Sequence, residues 1–261
     1  MIIYFDNIKV FNEIKVPKDH CNFFVENNYV ILKNVLTLDI KKYLKTNITF
    51  NKPHTDVDNP IKDSRQFYRE HHDKECTEFI NRFYNTIQPF YEYILNKKLT
   101  KFLGFSMKYN QNSELVPHYD NYNMPISSTI CFYNEDQIDY PLYIDKSYFN
   151  NPHPFRLTVD DKNGIPEQNK IKINITDGDL VIFRGRNHLH WRDKKFIKDY
   201  RALLLHTEDY TYNGELISYI HSENVIKADI NNIKNINTYA LTDMTCYDTF
   251  RKDYAMFFEN S

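Results

Sequence analysis

A chain of 261 residues with 41% hydrophobic content can bury a full core and still be one domain. Its 33 basic and 35 acidic side chains leave a formal net charge of −2, without the basic surplus that nucleic-acid binding demands. Four cysteines, Cys21, Cys76, Cys131 and Cys246, have no C-x-x-C spacing, which argues against a disulfide framework or a zinc knuckle, and no apolar run approaches the roughly 18 residues of a membrane helix.

Met1 to Asp6 lack the basic start and cleavage site of a signal peptide, so a cytoplasmic protein with no membrane partner is expected. Residues 1 to 16 alternate as a strand does, and Pro17 opens a helix to about Asn27, since proline is tolerated at a helix start. Tyr29 to Leu36 is β-branched and apolar, hence a strand. Thr37 caps a short helix whose apolar positions begin at Leu38 and Ile40. Residues 47 to 72, with Pro53 and Pro60, read as a long surface connection of the kind that serves as a lid in some domains. From Lys74 to Asn96, Phe79, Phe83, Tyr84, Ile87, Phe90, Tyr91 and Ile94 recur at helical intervals, and Pro89 is expected to kink this helix or mark the meeting of two.

Beyond that helix the pattern is β. Strands are expected at Leu99–Tyr109, Ile126–Tyr133, Tyr140–Asp145, Phe155–Val159, Ile171–Ile175, Gly178–Phe183, His188–Arg192 and Tyr200–Thr207, with turn signals such as Asp161-Lys162-Asn163-Gly164 between them. Many short strands indicate a sandwich or jelly roll. A single domain over 1–261 is expected: 1–98 as helical support and leading strands, 99–210 as the jelly-roll core, 211–261 as a C-terminal extension.

The chemistry lies in two stretches, Val116-Pro117-His118-Tyr119-Asp120-Asn121 and Gly178 through Arg192, followed by Tyr200-Arg201. Two neutral imidazoles and one carboxylate on one face of ferrous iron leave the opposite positions open, the arrangement of non-heme oxygenases. His118 and Asp120 are two apart, so in extended chain both leave one face and can grip one ion. The third ligand must come from a distant strand, and His188 and His190, two apart, both stand after an apolar run. Two other triplets, His54-Thr55-Asp56 and His71-His72-Asp73, are not framed by strands.

His-x-Asp, a distal His and an Arg eleven positions after it resemble the iron(II)/2-oxoglutarate-dependent dioxygenase superfamily, in its phytanoyl-CoA-hydroxylase-like and prolyl-hydroxylase-like branches. Asn28 to Leu36 is similar to the strand that leads into those enzymes' sheet, Gly178 to Phe183 resembles the strand that introduces their distal histidine, and Gly185 to Arg192 is similar to a subgroup in which that histidine precedes Trp-Arg. The resemblance implies a mainly β fold, a double-stranded β-helix (cupin-like jelly roll) flanked by N-terminal helices. It implies His118, Asp120 and His190 as catalytic metal ligands for Fe(II), the family's register selecting His190 over His188, with 2-oxoglutarate as cosubstrate and dioxygen as oxidant.

Ferrous iron, one aspartate and a bound 2-oxo diacid leave one negative charge in excess, and Arg201 is the expected counter-charge, its planar fork suiting the distal carboxylate. Alternation puts Arg201, Leu203 and Leu205 on one face, which for this role must be the barrel interior. Tyr109 is carried over as a second cosubstrate contact. Arg184, Arg186 and Arg192 crowd the distal histidine and are candidates for an anionic substrate such as an amino-acid carboxylate. The intact Asp120 points to hydroxylation, since halogenating relatives have a small residue there. The expected activity is hydroxylation of a C–H bond in a small, carboxylated metabolite. A peptidyl-prolyl hydroxylase, a cupin independent of 2-oxoglutarate and a non-catalytic binding module remain the alternatives, and no oligomeric state is indicated.

Overall fold

In the computed structural model, the described residues are 1–13, 20–50, 66–68, 74–110, 113–120, 124–147, 157–159, 164–209 and 236–237. The His54 and His71 triplets, the start of the first helix at Pro17, the Asp161–Gly164 turn's first three residues and nearly all of 211–261 lie outside them.

The N-terminal part supplies a small hairpin, β1 (Tyr4–Phe5) and β2 (Ile8–Lys9), then α1 (His20–Asn27), β3 (Tyr29–Leu32), α2 (Leu38–Asn47), β4 (Gln66–Tyr68) and α3 (Lys74–Leu95). Asn28 ends α1 in the left-handed region at φ 63°, its N–H donating to the Phe24 carbonyl at 2.8 Å, a turn asparagine tolerates better than most residues. Thr37 caps α2 as expected, its side chain accepting from the Ile40 amide at 3.3 Å.

Helix α3 continues unbroken through Pro89. Proline deprives the Asn85 carbonyl of its helical partner, but both residues are exposed, so water can satisfy that oxygen. The opposite face buries Ile80, Phe83, Tyr84, Ile87, Phe90, Tyr91 and Ile94. At about 1.5–3 kcal/mol for each fully buried large apolar side chain, this stripe is a principal anchor of helix to sheet.

The remaining strands are β5 (Leu99–Tyr109), β6 (Leu115–Tyr119), β7 (Ile126–Asn134), β8 (Leu142–Asp145), β9 (Leu157–Val159), β10 (Lys170–Ile173), β11 (Leu180–Phe183), β12 (His190–Arg192), β13 (Tyr200–Asp209) and β14 (Ile236–Asn237). They form two six-stranded sheets, ordered β3-β11-β7-β13-β5-β4 and β10-β8-β12-β6-β9-β14, with antiparallel neighbours throughout. This is the double-stranded β-helix, mainly β with helical additions on one side. The first sheet closes with strands from the N-terminal part: β3 pairs with β11, and the buried Asp179 carboxylate fastens that edge by accepting from the Asn34 amide (2.8 Å), the Thr176 amide (2.8 Å) and Lys33 Nζ (2.8 Å).

Both faces of the first sheet are buried. One side, with Leu203 and Leu205, packs beneath the helices beside Tyr84 and Tyr91. The other, with Tyr109, Cys131, Val181, Tyr200 and Ala202, faces Leu115, Ile144 and Ile173 of the second sheet and forms the barrel interior. Trp191 packs on the second sheet's outer side, stacked on Tyr143 at 5.4 Å between ring centroids.

Gly104 of β5 permits a close approach of α3 to the sheet. A Cβ there would fall 1.7 Å from Cε2 of Tyr84, whose hydroxyl donates to the Leu204 carbonyl at 3.2 Å. Gly104→Ala is expected to displace this buried ring at a cost of about 1–3 kcal/mol, lowering Tm by several degrees in a thermal melt. An unchanged Tm would show that the ring relocates freely.

Candidate metal centre

Strands β6 and β12 are neighbours, with His118 and His190 register partners. Their imidazoles therefore meet across the pair, centroids 4.1 Å apart. Asp120 follows two residues after His118, its amide donating to the Gly185 carbonyl at 3.0 Å in the turn before β12. One ligand atom from each of His118, Asp120 and His190 lies within 4.8 Å of the others, and all three residues are buried.

Hydrogen bonds orient both rings. Nδ1 of His118 lies 2.8 Å from the Val116 carbonyl and Nδ1 of His190 lies 3.0 Å from the His188 carbonyl. A carbonyl only accepts, so each Nδ1 carries the hydrogen, and each Nε2 offers its lone pair toward Asp120, at 3.4 Å from Oδ1 for His118 and 3.6 Å from Oδ2 for His190. Burial by itself pushes the Asp120 carboxyl up, but positive charge on the imidazoles of His190, His206 and His118 outweighs it and holds the group well below the usual carboxylate range. A divalent cation at the two Nε2 lone pairs would supply positive charge in the same place. An ionised carboxylate between two imidazole lone pairs is a donor set that fits Fe(II), with one side free of protein ligands among the described residues.

His188 precedes β12, so strand alternation does not extend to it. Its Nδ1 donates to the Asp145 carbonyl at 2.9 Å, and it is His190 that converges on the other two ligands.

Arg201 does not enter the barrel. Leu203 and Leu205, of the same parity on β13, lie in the helix-packed layer, and the Arg201 guanidinium sits over Phe50 and Tyr133 at 5.5 and 5.4 Å. Asp199 grips it through Nε (3.0 Å) and Nη2 (2.7 Å). The expectation that Arg201 faces the interior is thus corrected: Tyr200 and Ala202, of the opposite parity, face inward.

The interior cation is Arg192, 2% exposed and two residues after His190 on the same strand face. Its guanidinium carbon lies 5.5, 4.9 and 5.1 Å from the rings of Tyr109, Tyr140 and Tyr200; Nη1 donates to the Tyr140 carbonyl and Nη2 to the Tyr200 hydroxyl at 3.5 Å. No carboxylate among the described residues pairs with it. Tyr109 is fully buried in this cage, its hydroxyl donating to Met107 Sδ at 3.1 Å.

The three arginines expected to crowd one mouth separate. Arg184 lies over Phe24 of α1 at 5.2 Å, Arg186 is buried in the turn between β11 and β12, and Arg192 points inward. Sequence reasoning passed over two further groups, Ser127 of β7 and His206 of β13, which meet Asp120 from the first sheet. The available signals were a Ser-Ser-Thr run inside an otherwise buried strand, and the shared parity of His206 with Tyr200.

No model of a protein family matches the chain, and no curated protein matches it by sequence. Solved structures do match its fold. EctD from S. alaskensis, crystallised with 2-oxoglutarate and 5-hydroxyectoine, aligns at TM-score 0.54 and 14% identity over 77% of this chain and 78% of its own. EvdO2 from Micromonospora carbonacea var. aurantiaca, complexed with 2-oxoglutarate, aligns at 0.54 and 13% identity over 77% and 93%. A prolyl hydroxylase from Trichoplax adhaerens, in complex with a hypoxia inducible factor peptide fragment, aligns at 0.50 and 14% identity over 72% and 87%. The chain shares the fold of these structures, and the His-Asp-His cluster lies within it. Among the described residues no helix is long and apolar enough to cross a membrane.

Proposed function

We propose that the protein is an Fe(II)/2-oxoglutarate-dependent oxygenase that hydroxylates a C–H bond of a small metabolite. The observation that carries this reading is the convergence of His118, Asp120 and His190 in a barrel whose interior also holds a cation without a carboxylate partner among the described residues.

In this reading His118, Asp120 and His190 hold the iron. The bound iron and 2-oxoglutarate supply the oxidising power, dioxygen being consumed as the diacid is decarboxylated to succinate. The chain's own residues bind and orient. Nδ1–H bonds to main-chain carbonyls keep both imidazoles in the tautomer that ligation requires. Phe183, edge-on to His190 at 4.8 Å, shields that ligand from water.

Arg192 takes the role expected of Arg201, holding the far carboxylate of the cosubstrate. Two residues of strand separate it from His190, about 7 Å of rise, a span suited to a five-carbon diacid lying along the strand. A buried guanidinium is costly unless paired, and a dianion in the barrel neutralises it where tyrosine hydroxyls alone do not. Tyr109 and Tyr200 wall this end.

The arginine basis for an anionic substrate is weaker than the sequence suggested, because Arg184 and Arg192 face elsewhere. The small-molecule reading draws support from EctD and EvdO2 as fold neighbours, and the peptidyl alternative from the Trichoplax complex. One screen separates them: free amino acids and carboxylated metabolites against proline-containing peptides, scored by substrate-stimulated succinate release with iron and ascorbate present. Release stimulated by a free metabolite supports the proposal. Iron-loaded protein that turns over no 2-oxoglutarate with either set contradicts it.

A further inference from the structure

Asp120 is held from the side facing the first sheet by groups outside the His-Asp-His cluster. Ser127 Oγ lies 2.5 Å from Asp120 Oδ2, and Nδ1 of His206 lies 3.0 Å from that same Oγ and 3.7 Å from Oδ2. Ser127 and His206 are register partners on β7 and β13, so the two sheet neighbours present their side chains together. Both are buried, as is Asp120.

The direction of the chain of hydrogen bonds follows from what each group can do. An ionised carboxylate only accepts, and a serine hydroxyl has one proton. Ser127 therefore donates to Asp120 Oδ2 and accepts from His206, whose Nδ1 carries the hydrogen. The turn before β12 closes the remaining side: a Cβ on Gly185 would fall 1.9 Å from Asp120 Oδ2 and 2.3 Å from Ser127 Oγ. Only a glycine lets this backbone approach, and its carbonyl accepts from the Asp120 amide at 3.0 Å.

We propose that Ser127 and His206 are positioning residues for the metal carboxylate. The Ser127 hydrogen bond engages Oδ2, which also lies 3.6 Å from His190 Nε2, and leaves Oδ1, 3.4 Å from His118 Nε2, as the oxygen that binds a divalent cation. The aspartate thus ligates through one oxygen and leaves a further coordination position open. Ser127 fixes the carboxylate plane; His206 fixes the Ser127 hydroxyl. The inference rests on the oxygenase reading only in taking His118, Asp120 and His190 as a metal site.

The test uses the full chain, stripped of metal and titrated with Co(II), followed by calorimetry and by visible absorption, which reports coordination geometry independently of turnover. Ser127→Ala is expected to weaken Co(II) binding about 10–100-fold and to shift the absorption bands at saturation. Ser127→Thr, which keeps the hydroxyl, is expected to restore both, and His206→Leu to weaken binding in the same direction. If Ser127→Ala does not fold, His206→Leu carries the same expectation with the hydroxyl intact. Wild-type affinity and spectrum in either alanine or leucine variant overturn this inference alone, whereas wild-type protein that takes up no Co(II) overturns the oxygenase reading with it.

Discussion

The Asp120→Ala protein is expected to fold, to bind divalent metal more weakly than any outer-shell variant, by more than the roughly 100-fold such changes cost, and to release no succinate above background. The carboxylate is the only anion in the cluster, and without it two neutral imidazoles face a divalent ion with no compensating charge. Stability gives a reading that does not depend on turnover. Metal at about 100 times its dissociation constant stabilises a folded protein that binds it by about 2.7 kcal/mol, so the Tm of the wild type should rise on adding Co(II). That of Asp120→Ala should not. Succinate production by purified, iron-loaded Asp120→Ala at the wild-type rate would remove Asp120 from the ligand set.

Arg192→Met is expected to separate stability from function in the opposite sense. Methionine removes the desolvation cost of a buried charge that has no carboxylate partner among the described residues, but it also takes the Nη1 donor from the Tyr140 carbonyl and the cation from three tyrosine rings. These effects oppose one another, so the apo variant should melt close to the wild type. Its apparent requirement for 2-oxoglutarate should rise steeply. Each hydrogen bond between charged partners contributes about 1.5–3 kcal/mol, and losing two corresponds to a factor on the order of 100 or more. Arg201→Gln, by contrast, breaks a half-buried pair with Asp199 and should leave the 2-oxoglutarate requirement near that of the wild type. The reverse pattern, with Arg201→Gln demanding more cosubstrate and Arg192→Met unaffected, would falsify the assignment of the interior cation.

Much of this architecture was legible because local rules and the tertiary fold agree. The stripe from Ile80 to Ile94, the Thr37 cap and the alternating runs from Leu99 onward each follow from side-chain period and capping chemistry, and the structure places a helix or strand at each. Elements shortened at their ends where a turn takes over: Tyr29 to Leu36 stops pairing at Leu32, and His188 falls outside β12. Pro89 does not divide α3 into two helices, and the local reason is that its cost depends on whether the orphaned carbonyl faces water.

The facing expected of Arg201 was wrong on a different ground. Grouping Arg201 with Leu203 and Leu205 was right; choosing the barrel interior for that group was not. Alternation gives relative facing along a strand, never which face is which, and a one-residue change of phase exchanges the two. Usually hydrophobicity breaks the tie, but β13 is apolar on both sides because helices cover one and the second sheet covers the other.

What the chain by itself determined was therefore the inventory and its local geometry: a His-x-Asp pair leaving one face of an extended segment, a second histidine on a later strand, and an arginine two residues beyond it. Tertiary structure decided the facing and the partners. Register between β6 and β12 brought His190 opposite His118, and the packing of helices on one side of the first sheet sent Arg201 outward and left Arg192 inside. Ser127 and His206 met at Asp120 only because β7 and β13 pair, a contact between residues 79 positions apart that no local pattern encodes.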